Sequence, residues 1–339
     1  TDIDQKVMVA GRLKGYRRQG KITFMDLWDD KGHVQVFASL ADMGESSYEV
    51  VKLLDIGDFV GVSGTTFKTQ AGELTLKVEE LTFLGKSMKP LPDSWYGLKD
   101  KEDRFRQRYL DLILNPEARR IIDVRWATLQ AIREYLWSQG YYEVDTPILQ
   151  NLYGGTNAKP FTTHLNALDQ DMYLRVAPEL YLKRLIVGGY ERIFEIARNF
   201  RNEGMDQTHQ PEFTMMEFYE AYADYHRIME RTEALTKYVV NKVTGDLKLK
   251  VGEEMVDLSP KWRTITIDEA LKEYAGIEWE TVSDDEIKEV IKKHKFQVTG
   301  VYSRNKALFA IYDHLVTPNL VQPTWVIDYP VEVSPLSKT

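Results

Sequence analysis

Between residues 201 and 219 stand Arg201, Glu203, His209, Glu212, Phe213, Glu217 and Tyr219, a density of charged and aromatic groups unlike the rest of the chain. Their types suit the handling of a charged small molecule. A guanidinium offers a planar fork matched to phosphate or carboxylate oxygens, and an aromatic ring offers a face on which a base stacks. The surrounding pattern reads as two strands, 192–201 and 212–219, joined by a polar loop from Asn202 to Pro211. Alternate side chains of a strand share a face, so Arg201 and Glu203 point one way, and Phe213, Met215, Glu217 and Tyr219 share a face of the second strand. Burying such a face is costly unless it meets a charged ligand. A cross-strand Arg–Glu ladder in solvent accounts for the same charges, and the charge pattern alone does not choose.

A hairpin of this kind implies an antiparallel sheet rather than a doubly wound one. Upstream, Asn115-Pro116-Glu117 has the residues of a helix start. Ile122, Trp126, Leu129, Ile132 and Leu136 follow at spacings of three and four, which predicts one apolar stripe. Gly140 stops that helix, and 141–149 reads as a strand interrupted by Pro147, hence an edge or a bulge. Strands and a helix alternate from Met172 to Tyr222, and further helices are expected over 225–243 and 284–295.

The first 85 residues have a different texture. Five short runs of near-alternating apolar residues, with one helix expected over 41–54, fit a small closed barrel of the oligonucleotide-binding kind. Arg12, Lys14, Arg17, Arg18 and Lys21 form a basic run without an acid, and Phe24, Gln35 and Phe37 follow on the next strands. Aromatics beside a positive groove hold single-stranded nucleic acid, although core rings and a solvated rim would look the same in sequence. Lys89-Pro-Leu-Pro-Asp93 marks a stiff connection, and 99–108 reads as a charged strap. The expected organisation is therefore 1–88, a linker over 89–118, and a second domain over 119–339. The fold class is α+β with an all-β N-terminal domain.

Composition narrows the function classes. The 339 residues contain no cysteine, which excludes disulfides, thiol nucleophiles and cysteine-bound zinc and makes a reducing cytoplasm the simplest setting. No apolar run approaches the length of a membrane span. The net charge of −8 means that a nucleic-acid partner must meet a local basic patch. No phosphate-binding Gly loop ending in Lys-Ser/Thr, dinucleotide fingerprint or His-Glu-x-x-His occurs.

Phe200-Arg-Asn-Glu-Gly, followed by His209-Gln-Pro-Glu-Phe-Thr-Met-Met-Glu-Phe-Tyr, resembles the second signature motif of the class II aminoacyl-tRNA synthetases, in the lysine-specific branch. The helix and the Pro147 strand before it resemble the family's first motif, a dimer-interface element. Gly154-Gly155, Lys159-Pro-Phe and Leu174-Arg-Val-Ala-Pro-Glu-Leu-Tyr-Leu-Lys-Arg are similar to lysine-specific members, and the likeness continues to Glu332-Val-Ser-Pro-Leu336.

The resemblance implies ATP-dependent activation of L-lysine, transfer to tRNA(Lys), a requirement for Mg²⁺ and a homodimer. It implies that Arg201 bridges the α-phosphate and the amino-acid carboxylate, that Glu203 meets the adenine region, that His209 lies near the outer phosphates and that Phe213 stacks on adenine. Arg201, Glu203 and His209 are thus the expected catalytic set. Gly155, Glu179 and Glu217 would surround the α-amino group, with Tyr219 near the lysine side chain. On the barrel, Arg17, Phe24, Gln35 and Glu73 would read a U-rich anticodon. No residue of the chain is expected to ligate a metal by itself.

The N-terminal helical extension of many relatives is not seen, and the Gly-rich third motif with its phosphate-clamping Arg would lie beyond Thr339. The expectation is weak or absent catalysis by the 339 residues alone. Two other readings remain open from the sequence: a tRNA-binding relative without catalysis, and an aspartyl- or asparaginyl-type synthetase. The barrel counts against protein-lysylating paralogues.

Overall fold

A computed structural model describes residues 3–92, 98–296, 298 and 302–334. Asp93 of the expected connection and Pro335-Leu336 of the family likeness lie outside the described residues. The chain divides into two compact units, Thr1–Ile121 and Ile122–Thr339.

In the first unit, β1 (Lys6–Gln19), β2 (Ile22–Trp28) and β3 (His33–Ser39) precede helix α1 (Leu40–Lys52), and β4 (Phe59–Lys68) and β5 (Leu74–Gly85) follow it. The strands close into a barrel in the order β1-β2-β3-β5-β4, with β3 and β5 parallel and the other pairs antiparallel. Alternation explains the closure: Leu13, Met25, Val36, Val60, Leu76 and Val78 turn inward and are fully or almost fully buried. Closing the sheet leaves no unpaired edge. Ser39 caps α1 by accepting from the Asp42 amide, and Tyr48 and Val51 plug the barrel. Where β4 and β5 shift register, a Cβ on Gly64 would lie 1.8 Å from the Lys77 carbonyl oxygen, so only glycine fits.

The first strand is longer than the sequence suggested, and β1 carries the whole run from Arg12 to Arg18. The charged strap is also more ordered than expected. It holds α2 (Lys101–Arg106) and α3 (Arg108–Leu114), tied by the buried carboxylate of Asp111. Burial opposes the Asp111 charge, but hydrogen bonds from Asn115 and Arg104 outweigh it and hold the pKa below the usual carboxylate range.

Helix α4 (Pro116–Ser138) starts at the expected proline, and the division between the units falls inside it. Its apolar stripe is not buried throughout. Tyr135 and Leu136 join a core with Tyr141, Phe194 and Leu235, whereas Ile122 and Trp126 are 47% and 67% exposed. Periodicity shows which side of a helix is apolar, not what covers it.

The expected strand over 141–149 is two short pieces in different sheets. β6 (Tyr142–Glu143) and β7 (Leu149–Gln150) flank the exposed Pro147, which lacks the amide hydrogen that would continue a ladder. β8 (Thr162–Leu165) and β9 (Gln170–Leu174) make a three-stranded sheet with β7. After α5 (Glu179–Val187), β10 (Arg192–Phe200) and β11 (Glu212–Glu220) form the hairpin, antiparallel as expected, with β6 added parallel at the β10 edge.

α6 (Tyr225–Thr244) packs Leu235 against this sheet. Beyond it come the hairpin of β12 (Lys248–Val251) and β13 (Glu254–Asp257), then β14 (Arg263–Thr266), α7 (Ile267–Ala275), α8 (Asp284–His294), α9 (Arg304–Ile311) and β15 (Thr324–Ile327). These last elements share a core of their own around Ile265, Leu271, Ile287 and Leu308. Among the described residues no helix is long and apolar enough to cross a membrane.

Candidate active site and nucleic-acid face

The register of β10 against β11 separates two chemistries on the two sides of one ribbon. Directly opposed residues share a side, and the pairs Ile193–Tyr219, Glu195–Glu217, Ala197–Met215 and Asn199–Phe213 lie on one. The amide of Arg201 donates to the carbonyl of Pro211 at 2.9 Å, which extends the ladder one step and leaves Arg201 on that same side. Its guanidinium sits 5.0 Å from the Phe213 ring centre, and its Nε donates to the Val176 carbonyl at 3.4 Å. The other side carries the ladder: Arg198 lies 3.4 Å from Glu212, and Arg192 lies 3.2 Å from Glu220. The ladder is not wholly in solvent, since the Glu220 side chain is 5% exposed, and Arg198 and Glu212 also line the cleft that holds Arg201.

Glu203 reaches the same cleft as Arg201 for a different reason from the one expected. The strand ends at Phe200, and the Asn202 amide bonds to the Lys159 carbonyl instead of to β11. Alternation no longer applies there. The Glu203 carboxylate accepts from the Lys159 amide at 3.2 Å and lines a cleft of about 660 Å³ with Arg201, His209 and Phe213. The loop keeps its shape through Asp206, which accepts from the amides of Thr208 and His209 and from the His209 ring at 2.8 Å. The Thr208 amide and the His209 ring drive the Asp206 pKa far below the usual range.

Further along the same side, the Tyr219 hydroxyl donates to Glu217 at 3.0 Å. Burial raises the Glu217 pKa; Tyr219 opposes that rise, while the charges of Glu179 and Glu195 add to it. Glu179 opens α5 and pairs with Lys183 at 2.5 Å. Gly155 meets it closely, because a Cβ at Gly155 would lie 2.8 Å from the Glu179 Cβ, and its φ of +94° already demands glycine. Gly155 and Glu179 are thus in contact, and the charge of Glu179 reaches Glu217.

Four residues that carry this side went unassigned from sequence. Arg175, 2% exposed, donates to Glu195 at 2.6 Å, to the Thr146 carbonyl at 3.0 Å and to the Arg198 carbonyl at 2.8 Å. Thr146 completes the knot by donating to Glu195 at 2.6 Å. The hairpin register would have exposed Glu195, since it faces Glu217 directly. Asn199 is fully buried opposite Phe213, and neither of its amide atoms has a partner among the described residues.

On the barrel, Arg17 pairs in register with Phe24, and the Phe24 and Phe37 ring centres are 5.0 Å apart with Phe67 6.1 Å beyond. Gln35 donates to Glu73 at 2.9 Å beside this row. The basic run is not one patch. Arg12 lies over the Phe59 ring and donates to the Gly57 carbonyl, and Lys14 lies over Trp28 and donates to the Ile113 carbonyl at 2.5 Å. Arg12 opposes Trp28 and Arg17 opposes Phe24, both on the outer side, so the run divides along the length of β1, across the register shift between Leu13 and Gly15. Arg17 remains exposed beside Phe24.

Comparison with known families finds a match for each of two stretches of the chain. The description "tRNA synthetases class II (D, K and N)" matches residues 100–339, and "OB-fold nucleic acid binding domain" matches residues 7–84. The chain belongs to the class II tRNA synthetases of that D, K and N group. Relatives include the lysine–tRNA ligase of Thermoanaerobacter pseudethanolicus, 48% identical over 333 residues that cover 98% of this chain and 67% of that protein. The lysine–tRNA ligase of Clostridium tetani is 47% identical over 339 residues, 99% of this chain and 68% of its own length. That of Halalkalibacterium halodurans is 46% identical over 334 residues, 98% and 67% respectively.

Proposed function

We propose that the protein activates L-lysine with ATP to lysyl-adenylate and transfers the lysyl group to tRNA(Lys). The observation that carries this reading is the single side of the β10–β11 ribbon on which Arg201, stacked on Phe213, is followed by Glu217 and Tyr219. A guanidinium serves the two anions that must meet, the α-phosphate and the amino-acid carboxylate. Glu179 and Glu217 serve a cationic amino acid, and relatives near 47% identity bear the lysine name.

The reaction needs no nucleophile from the protein. A lysine carboxylate oxygen attacks the α-phosphorus as the bond to the bridging oxygen of pyrophosphate breaks, and pyrophosphate leaves with the electron pair. Arg201 offsets the charge gathered there, Phe213 supports the adenine, Glu203 holds the loop over it and His209 faces the outer phosphates. A ribose hydroxyl at the tRNA end then attacks the acyl carbon, and AMP leaves. Magnesium enters with ATP as part of the substrate. Among the described residues no three His, Asp or Glu side chains gather to ligate a metal.

In the same reading residues 1–88 bind the anticodon through Arg17, Phe24, Gln35 and Glu73, residues 89–118 are the linker, and 119–339 form the aminoacylation domain. The exposed Ile122 and Trp126 of α4, with the segment around Pro147, support a homodimer interface. The setting is the cytoplasm, in keeping with a cysteine-free chain. Amino-acid-dependent ATP–pyrophosphate exchange, screened across the standard amino acids, tests the substrate. Stimulation by lysine alone is expected, and stimulation by aspartate or asparagine instead would overturn the choice.

A further inference from the structure

Behind the ring of Phe67 lies a hydroxyl that no base could touch. Leu76 and Val78 turn into the barrel core, so Thr75 of β5 faces the outer side. It is nonetheless 0% exposed, because Gln35 stands in register on β3 and Phe67 stands in register on β4. The Thr75 hydroxyl donates to Gln35 Oε1 at 2.9 Å, with the Glu73 carbonyl a longer alternative at 3.3 Å. Gln35 Nε2 donates to the Glu73 carboxylate at 2.9 Å.

A side-chain amide has two orientations of nearly equal shape, and only its partners choose between them. An ionised carboxylate accepts and cannot donate, so Glu73 draws the amide nitrogen toward itself. The carbonyl then points at Thr75, which supplies its hydrogen. Of the two Nε2 hydrogens one is committed to Glu73, and the other has no partner among the described residues on a side chain that is 6% exposed.

We infer that Thr75 is a positioning residue for nucleic-acid recognition. It fixes the Gln35 carbonyl to the barrel wall, so that the free N–H of Gln35 is presented at one place to an acceptor atom on a single-stranded base. The inference rests on the anticodon-face reading of the barrel and adds to it the group that anchors the reader, whose polarity Glu73 sets. Without the hydroxyl the Gln35 carbonyl is left buried and unpaired, a state that drives the amide to rearrange. An amide whose carbonyl has left the wall no longer holds its N–H at one place, and the protein loses discrimination before it loses affinity for the phosphates.

Binding of an RNA hairpin with three unpaired loop uridines, against one with cytidines, is read by fluorescence anisotropy on the protein and its variants. Thr75→Val should lower the preference for uridine by about tenfold, the size of effect that one unpaired buried acceptor produces. Thr75→Ser should restore it. Glu73 is exposed, so Glu73→Gln spares the fold, frees the amide to turn over and should lower the preference as well. A native preference in folded Thr75→Val, with the preference lost in Gln35→Ala, overturns the role of Thr75 and leaves the anticodon face standing. A native preference in both overturns that face at Gln35 and the role with it. Should Thr75→Val fail to fold, Thr75→Ala takes its place with the same expectation, and a native preference in folded Thr75→Ala overturns the inference alone.

Discussion

A guanidinium resting on an aromatic ring is committed to one place before any ligand arrives, and Arg201 has that support from Phe213. Arg201→Ala should lower amino-acid activation roughly 10²–10³-fold, the scale of losing one preorganised electrostatic donor. Arg201→Lys should recover only part of that rate in the same exchange assay, since the charge returns without the fork. Glu217 has the opposite sensitivity. Its raised pKa means that folding disfavours the ionised form, so this group's contribution to stability is full below the unfolded carboxylate pKa and is lost as pH rises through the folded one. Glu217→Gln should therefore melt higher than the native protein near neutrality, with the gap closing in acid, while lysine binding is lost. Lysine KM in the native enzyme should rise as pH falls through that raised value; a flat profile would count against Glu217 as a ligand. Residue parity made Arg201, Phe213, Glu217 and Tyr219 legible in sequence. It misplaced the cause for Glu203, because a strand's end is set by which backbone partner the amide finds.

At the scale of elements, what holds the ribbon is the buried knot of Arg175, Glu195 and Thr146. Arg175→Met should cost about 3–5 kcal/mol in denaturant unfolding, because Glu195 would remain buried without its cation. Gly155→Ala should leave ATP binding intact and raise the lysine KM. The new Cβ would meet Glu179 at 2.8 Å, and the backbone is held at a φ that alanine adopts poorly. Unchanged KM in a folded Gly155→Ala would detach Glu179 from the lysine pocket. The barrel was readable because two-residue alternation is what a closed sheet requires. The single strand expected over 141–149 was not, since a proline amid extended residues says that pairing stops and not which sheet each piece joins. The knot itself was illegible, because its members come from three separate segments.

For the whole molecule, the change of texture near residue 88 was visible, and the start expected for the second domain at residue 119 falls inside α4, three residues before the second compact unit begins. The same helix carries the prediction that belongs to this scale. Trp126 is 67% exposed on an apolar stripe, so Trp126→Glu should convert a dimer to a monomer in sedimentation velocity. A monomeric native protein would remove the interface assigned to α4. The proposed activity depends on one side of a ribbon that receives an activated lysine, and its most direct measurement is a calorimetric titration with a non-hydrolysable lysyl-adenylate analogue and its aspartyl counterpart. Tight binding of the lysyl compound alone, lost in Arg201→Ala, is the expected result; equal or tighter binding of the aspartyl compound, or lysyl binding untouched by Arg201→Ala, would contradict it.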